Sequence, residues 1–314
     1  MRVVMFGYQT WGHRTLQALL KSRHEVALVV THPTSAHAYE SIWADSVEDL
    51  ARSEGIEVFL AKRPSAELVD RVRDAAPDVM VANNWRTKLP RELFGIPRLG
   101  TVNLHDSLLP KFTGFSPVIW SLISGATHTG LTAHLMDDEL DTGAVLVSRA
   151  VEITPTSTGT SLVYDTLDLV PEVLELALDG LEHQTLDPVP QDLAERTFFH
   201  KRSEEDSLID WTWQAADIER LVRALSDPYP NAYTYFRGER LRVISSHVSR
   251  CVYGGTPGRV FIEEDGGMVV VAGAEAYRGR SRGLVVDVVR TEDGVKHSAL
   301  DFFGRGGGYL TSRP

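Results

Sequence analysis

The sequence predicts an α/β domain built on a parallel, doubly wound sheet, followed by a small β-barrel. Two patterns predict it. Short apolar runs at 2–6, 26–30, 78–82 and 102–104 alternate with amphipathic stretches in the first half, the order of strands and crossover helices in a parallel sheet. Short runs broken by Gly-containing turns fill the last third, and a barrel is the natural closure for such strands. At 314 residues the chain can bury one sizeable α/β core and a smaller second one.

Taken in order, Arg2-Val-Val-Met-Phe6 is the first strand, and 11–21 is an amphipathic helix. The turn between them, Phe6-Gly-Tyr-Gln-Thr-Trp-Gly12, is not a dinucleotide fingerprint. Bulky Tyr8 and Trp11 stand between its glycines, so a pyrophosphate could not approach closely. Tyr8, Gln9 and Trp11 are expected to line a substrate pocket instead. The stretch 68–75 reads as helix before the strand 78–82, and 131–136 is a further strand. From 158 to 180, Leu162, Leu167, Val170, Leu174 and Leu178 recur at helical spacing, and Pro171 predicts a kink or two abutting helices. Pro188-Val-Pro190 and the polar stretch through Arg202 read as a linker. The expected division is therefore 1–187, a linker 188–205, and 206–314. In the last part 215–225 is helical, and strands are expected at 232–236, 241–246, 259–263, 268–272 and 284–290. The Gly-rich 304–308 and the last residues are expected to fray. No internal repeat is visible.

The net charge is −11 and both halves are acidic, which argues against a polyanionic partner. The start of the chain is already a strand, so no secretory signal is expected. No apolar run approaches membrane-spanning length. The single cysteine, Cys251, cannot build a disulfide framework or a cysteine zinc site. A cytoplasmic protein with no metal and no membrane partner is the simplest reading. A homodimer is left open.

The chemistry concentrates in Thr101-Val-Asn-Leu-His-Asp-Ser-Leu-Leu-Pro110 and Leu140-Asp-Thr-Gly143. Strand side chains alternate, so Asn103 and His105 share a face while Val102 and Leu104 take the buried one. Asp141 follows the end of the next strand. An amide can hold a developing oxyanion, an imidazole can move protons near neutral pH, and a carboxylate can orient that imidazole or accept a proton. These groups equip acyl transfer by direct attack, without a Ser or Cys nucleophile.

The same residues resemble the formyltransferases that use 10-formyltetrahydrofolate, the methionyl-tRNA formyltransferase-like family. The matching pattern is Asn103, His105, Ser107-Leu-Leu-Pro110, Gly114, Asp141 and Gly143. Ile209-Asp-Trp211 and Asp227-Pro-Tyr-Pro-Asn-Ala-Tyr233 are similar to the start of the family's second domain. The resemblance implies a Rossmann-like formyltransferase domain and an OB-like β-barrel. It implies 10-formyltetrahydrofolate as co-substrate, with Asn103, His105 and Asp141 catalytic. It places folate against Asn84, Trp85, Arg86 and Leu89 and against Asp137, Asp138, Glu139 and Leu140, and adds Ser107 to the substrate-binding set.

The acceptor is read from charge. Members acting on tRNA carry a basic loop after the second strand, but 31–53 here holds one Lys or Arg, Arg52, against Glu40, Asp45, Glu48 and Asp49. The expectation is therefore a small-molecule amine and no nucleic acid. N5-hydroxyornithine or ornithine of siderophore biosynthesis comes first, supported by a resemblance of Gly7-Tyr-Gln-Thr-Trp-Gly-His13. An amino-sugar nucleotide is second and methionyl-tRNA third. A formyltetrahydrofolate hydrolase and a non-catalytic folate-binding module are the alternatives from other classes. Family hydrolases usually carry an N-terminal regulatory domain, whereas this chain starts at the catalytic sheet. The intact trio counts against a mere binding module.

Overall fold

The computed structural model describes residues 1–34, 42–304 and 307–314. The chain divides into two compact units. The first comprises 1–117, 128–152 and 163–200; the second comprises 118–127, 153–162 and 201–314.

The first unit is a seven-stranded sheet. Its strands are β1 (Arg2–Gly7), β2 (Glu25–Thr31), β3 (Val58–Leu60), β4 (Val79–Asn83), β5 (Thr101–His105), β7 (His128–Leu135) and β8 (Val145–Glu152), ordered β3-β2-β1-β4-β5-β7-β8. The five strands from β3 to β5 run parallel, and β7 and β8 add an antiparallel edge. The short strands β6 (Thr113–Gly114) and β9 (Phe198–Phe199) pair with each other. Around the sheet lie α1 (Gln9–Lys21), α2 (Val47–Ser53), α3 (Ala66–Asp74), α4 (Arg91–Phe94) and α7 (Val170–His183). Two further helices, α5 (Pro117–Ile123) and α6 (Gly159–Asp168), cross the division between the units.

Alternation along the central strands supplies two cores. Val3, Met5, Val102 and Leu104 pack with Leu16 and Leu174 on one face. Val4, Phe6, Met80 and Ala82 pack with Leu68 and Leu93 on the other. Gly7 and Gly12 let β1 and α1 approach closely, since a Cβ on Gly12 would lie 2.6 Å from the carbonyl carbon of Gly7. The two glycines of the first turn thus serve packing. The proline inside the long helical pattern begins a new helix: α6 ends at Asp168 and α7 starts at Val170 with Pro171 in its first turn, where the missing N–H is tolerated.

The second unit contains α8 (Ala215–Ala224), α9 (Ala299–Phe303) and the strands β10 (Ala232–Phe236), β11 (Glu239–Val252), β12 (Arg259–Glu264), β13 (Gly267–Val270), β14 (Arg282–Arg290), β15 (Lys296–Ser298) and β16 (Gly308–Thr311). Pairing runs β11-β10-β16-β12-β13-β14 and returns from β14 to β11, a closed six-stranded barrel with β15 added on β14. Asp227 accepts hydrogen bonds from Arg290 at 2.8 Å and Lys296 at 3.1 Å. Those bonds, Arg290 first, hold its carboxyl down at about 2. One expectation is corrected here. The chain does not fray from 308 onward, because β16 pairs with both β10 and β12 and completes the barrel. Closure supplies both neighbours, which overrides a Gly-rich composition. Residues 305 and 306 lie outside the described ones. Among the described residues no helix is long and apolar enough to cross a membrane.

Candidate active site

Beyond the apolar cores, one face of β5 and β7 turns polar. Val102 and Leu104 are buried with the α1 and α7 side of the sheet, which puts Asn103 and His105 on the opposite face. The antiparallel register sets His134 across from Asn103 and Thr132 across from His105. Sequence reading missed His134 and Thr132. The signal was present, since Leu131-Thr-Ala-His-Leu135 alternates, but the run reads as largely apolar.

His134 defines the amide. Burial holds its imidazole below the ordinary histidine value, and the positive charge of His105 adds to that against the pull of Asp141. Its Nδ1–H donates to the Leu135 carbonyl at 2.8 Å, so in the neutral ring Nε2 is an acceptor. Asn103 Nδ2 donates to that Nε2 at 3.1 Å. One amide N–H of Asn103 is therefore fixed, and its second N–H remains for a substrate oxygen.

His105 donates from Nε2 to the Phe112 carbonyl at 2.9 Å, and its Nδ1 lies 3.8 Å from Asp141 Oδ1. The same oxygen lies 3.9 Å from His134 Nε2. Asp141 Oδ2 accepts from the Gly114 N–H at 2.9 Å. One carboxylate oxygen is thus anchored by backbone, while the other faces two imidazoles from beyond hydrogen-bond length. Asp141 takes a left-handed conformation, φ 57°, as the loop turns back under Leu135. Gly143 makes the turn possible: a Cβ there would sit 1.7 Å from the Leu135 oxygen.

Two residues of the stretch read as linker hold this loop. Gln191 Nε2 donates to the carbonyls of Asp141 at 3.0 Å and Gly143 at 2.8 Å. Arg196 donates to the Leu140 carbonyl at 2.8 Å and to Thr113 Oγ1 at 3.2 Å. Ser107 is buried, and its hydroxyl donates to the Lys111 carbonyl at 2.7 Å, closing the loop after β5. Thr132 donates to the Ser107 carbonyl at 2.6 Å.

Expected residues of the first turn and of 84–89 form a second cluster in the same unit, at the ends of β1 and β4, and those of 137–140 lie in the loop after β7. Asn84 Nδ2 donates to the Tyr8 carbonyl at 3.2 Å and to Gln9 Oε1 at 3.3 Å, and Arg86 donates to Gln9 Oε1 at 2.8 Å. The Arg86 guanidinium stands 4.9 Å over the Tyr8 ring. Trp85 stacks on His32 at 4.0 Å, and Leu89 is buried. Asp137 accepts from the Glu139 N–H and the Thr142 hydroxyl, which shapes the loop before Asp141. Asp138 pairs with Arg91 and so ties that loop to α4, which follows the 84–89 segment. Glu139 lies 3.8 Å from Arg196, and Leu140 is exposed. Two polar atoms of the 84–89 segment, the Trp85 indole nitrogen and the Thr87 hydroxyl, are buried without a partner among the described residues. A ligand with its own polar edge fits such a segment.

One grouping of metal-type ligands occurs among the described residues, His24 with Asp179 and Glu182. It sits by the starts of β1 and β2, and Arg23 already pairs with both carboxylates at 2.7 and 2.6 Å.

A sheet with an amide, an imidazole and a carboxylate gathered at its strand ends, followed by a six-stranded barrel, defines a class. The chain belongs to the formyl transferase family: residues 1–178 match the family's "Formyl transferase" domain and residues 201–306 its "Formyl transferase, C-terminal domain". It is a formyltransferase, and the expected folate donor, 10-formyltetrahydrofolate, stands with the family. Among its relatives, the methionyl-tRNA formyltransferase of Lachnospira eligens is 36% identical over 251 residues, 79% of each protein. An N-formyltransferase from Helicobacter canadensis, solved with folinic acid and dTDP-3-aminofucose, superposes with a TM-score of 0.68 at 16% identity, covering 90% of this chain and 98% of that one. HypX from Aquifex aeolicus, solved with tetrahydrofolic acid, gives 0.60 at 19% identity; the match covers 97% of this chain but 47% of HypX.

These relatives correct the acceptor expectation. The hydroxyornithine and siderophore reading, and with it the exclusion of nucleic acid, does not stand against methionyl-tRNA formyltransferases at 33–36% identity over most of the chain. The structure shows why charge misled. Ser46 caps α2 by accepting from the Asp49 N–H at 3.0 Å, and Glu48 and Asp49 occupy the first turn, where carboxylates favour the helix dipole. Glu48 also accepts from Arg52 at 2.9 Å. The acidity of Glu48 and Asp49 thus has a cause in the helix itself. Glu40 lies outside the described residues.

Proposed function

We propose that the protein transfers the formyl group of 10-formyltetrahydrofolate to the α-amine of methionyl-tRNA. The acceptor rests on one observation, the similarity to methionyl-tRNA formyltransferases over about four-fifths of the chain. Such an acceptor puts the reaction in the cytoplasm, where tRNA is charged. The 84–89 and 137–140 segments are assigned to the folate, with the Trp85 and Thr87 donors facing its polar edge.

The geometry supports the following roles. The folate supplies a formyl carbon activated for attack by a neutral amine. Asn103 gives the N–H that His134 leaves over to the formyl oxygen, as charge develops there. His105, whose Nε2–H is held by the Phe112 carbonyl, acts on the same oxygen from its Nδ1 side, with Asp141 beside it. Asp141 Oδ1 accepts no hydrogen bond from another described residue, so it can take the proton of the attacking nitrogen. Gly114, Gln191 and Arg196 hold the Asp141 loop in register with the trio.

The test supplies the purified protein with 10-formyltetrahydrofolate and methionyl-tRNA, and follows tetrahydrofolate release and formylmethionine on the tRNA. Release that depends on the charged tRNA supports the proposal. Equal release with water alone would sink it.

A further inference from the structure

The stretch 191–200, linker by composition, does more than lead out of the first unit. Its β9 end pairs with β6, in the loop that follows β5. The Thr197 hydroxyl accepts from the Phe112 N–H at 2.8 Å. The Thr197 carbonyl accepts from the Thr113 N–H and the Thr113 hydroxyl, both at 2.9 Å. The Phe199 carbonyl accepts from the Phe115 N–H at 3.1 Å, and the Phe199 ring stacks on that of Phe112 at 5.3 Å. All of these groups lie in the first unit.

That loop carries both backbone anchors of the catalytic pair. The Phe112 carbonyl accepts from His105 Nε2 at 2.9 Å, and the Gly114 N–H donates to Asp141 at 2.9 Å. The loop is also bent against its own preference. Phe112 has φ 57° and Ser116 φ 51°, a left-handed backbone that residues with a Cβ keep only when their surroundings hold it. Thr197 supplies that hold on both sides of Phe112. Its hydroxyl fixes the peptide plane before Phe112. Its carbonyl fixes the plane after, in which the Thr113 N–H is rigidly joined to the Phe112 carbonyl. We propose that Thr197 is a positioning residue for His105. By holding the two peptide planes of Phe112 it aims the carbonyl that pins Nε2–H, and so keeps Nδ1 turned toward Asp141, 3.8 Å away. Thr197 is exposed, so losing its hydroxyl costs the fold little and acts on the direction of the imidazole. The role rests on the part proposed above for His105 and on no particular acceptor.

The test uses Thr197→Val, which keeps the shape and deletes the acceptor oxygen, and Thr197→Ser, which keeps the oxygen. Both are made in the wild type and in His105→Ala, and kcat and KM are measured with 10-formyltetrahydrofolate and methionyl-tRNA. Thr197→Val should lower kcat about three- to tenfold, the size of one hydrogen bond, with KM and 5-formyltetrahydrofolate affinity unchanged. Thr197→Ser should recover most of the rate. In His105→Ala the same Thr197→Val change should add little, because it acts through the missing imidazole. Nitrogen NMR of protein labelled in its histidines reads the ring without turnover, with the His105 signal assigned by its loss in His105→Ala. Thr197→Val should shift or broaden the His105 Nε2 signal and leave that of His247, in the second unit, where it was. An undiminished kcat in Thr197→Val, an equal loss in both backgrounds, or an unmoved His105 signal overturns the positioning role. A His105→Ala variant as fast as the wild type overturns the part proposed for His105 and this role with it. A wild type that leaves methionyl-tRNA unformylated overturns the acceptor assignment alone, and the His105 signal then decides the positioning.

Discussion

Replacing His134 by Leu tests how the amide of Asn103 is held. The structure gives it one side-chain anchor, the 3.1 Å bond to His134 Nε2. Leu keeps the bulk and removes the acceptor. The half-buried N–H then loses a bond whose net worth is ~1 kcal/mol, rising to ~3 kcal/mol where the donor is left without water or partner. If half or more of that reappears as misorientation in the transition state, ~1–2 kcal/mol is added to the barrier, or about 5- to 30-fold in kcat. Asn103→Ala sets the ceiling, at roughly 10²–10³-fold for a lost oxyanion donor. The two effects share one group, so they should not add. The assay is kcat at saturating donor and methionyl-tRNA for both single variants and the double. His134→Leu should be slow alone and add little to Asn103→Ala. His134→Gln, which keeps an acceptor oxygen, should recover part of the rate. Full multiplication of the two effects would refute the positioning argument, as would an unimpaired His134→Leu.

Other consequences are measurable on the same protein. Gln191→Ala deletes both bonds to the Asp141–Gly143 carbonyls. It should lower kcat about tenfold, an effect of ~1–2 kcal/mol, and speed amide exchange across 137–144 without moving the global melting temperature much. Asp106→Asn should stabilise the fold. The folded carboxyl is raised to about 6 from 3.8, so folding is penalised as pH rises through that window, and the gain should reach ~1–3 kcal/mol above it and shrink toward pH 4; denaturant melts at pH 7.5 and 4.5 measure it. His134 carries the opposite sign. Its imidazole is held below the ordinary 6.5, so stability falls as pH drops below 6.5, and His134→Gln should flatten that limb of a stability–pH curve.

Much of the site was legible because strand alternation is a strict rule. Asn103 and His105 could be put on one face, and Val102 and Leu104 in the core, from the period alone. His134 follows the same rule, but a histidine inside an apolar run reads as core until its register partner is known. Gln191 and Arg196 were taken for linker because their ties, mostly to backbone carbonyls far back in the chain, leave no pattern in a sequence. Strand β16 was hidden for a related reason: its neighbours β10 and β12 are supplied by barrel closure, far along the chain. The acceptor was misread because Glu48 and Asp49, counted against a polyanionic ligand, have a local cause in the first turn of α2. Net charge sums such local causes and loses them.

The central claim is formyl transfer to methionyl-tRNA by the cluster of Asn103, His105 and Asp141. It is tested most directly by the initial rate of formylmethionyl-tRNA formation from 10-formyltetrahydrofolate, wild type beside His105→Ala, at saturating concentrations of both substrates. The wild type should form product and the variant should fall by about 10²–10⁴-fold, the contribution of a lost acid–base group, with 5-formyltetrahydrofolate affinity retained. No formylmethionyl-tRNA from the wild type, or a variant as fast as the wild type, would contradict it.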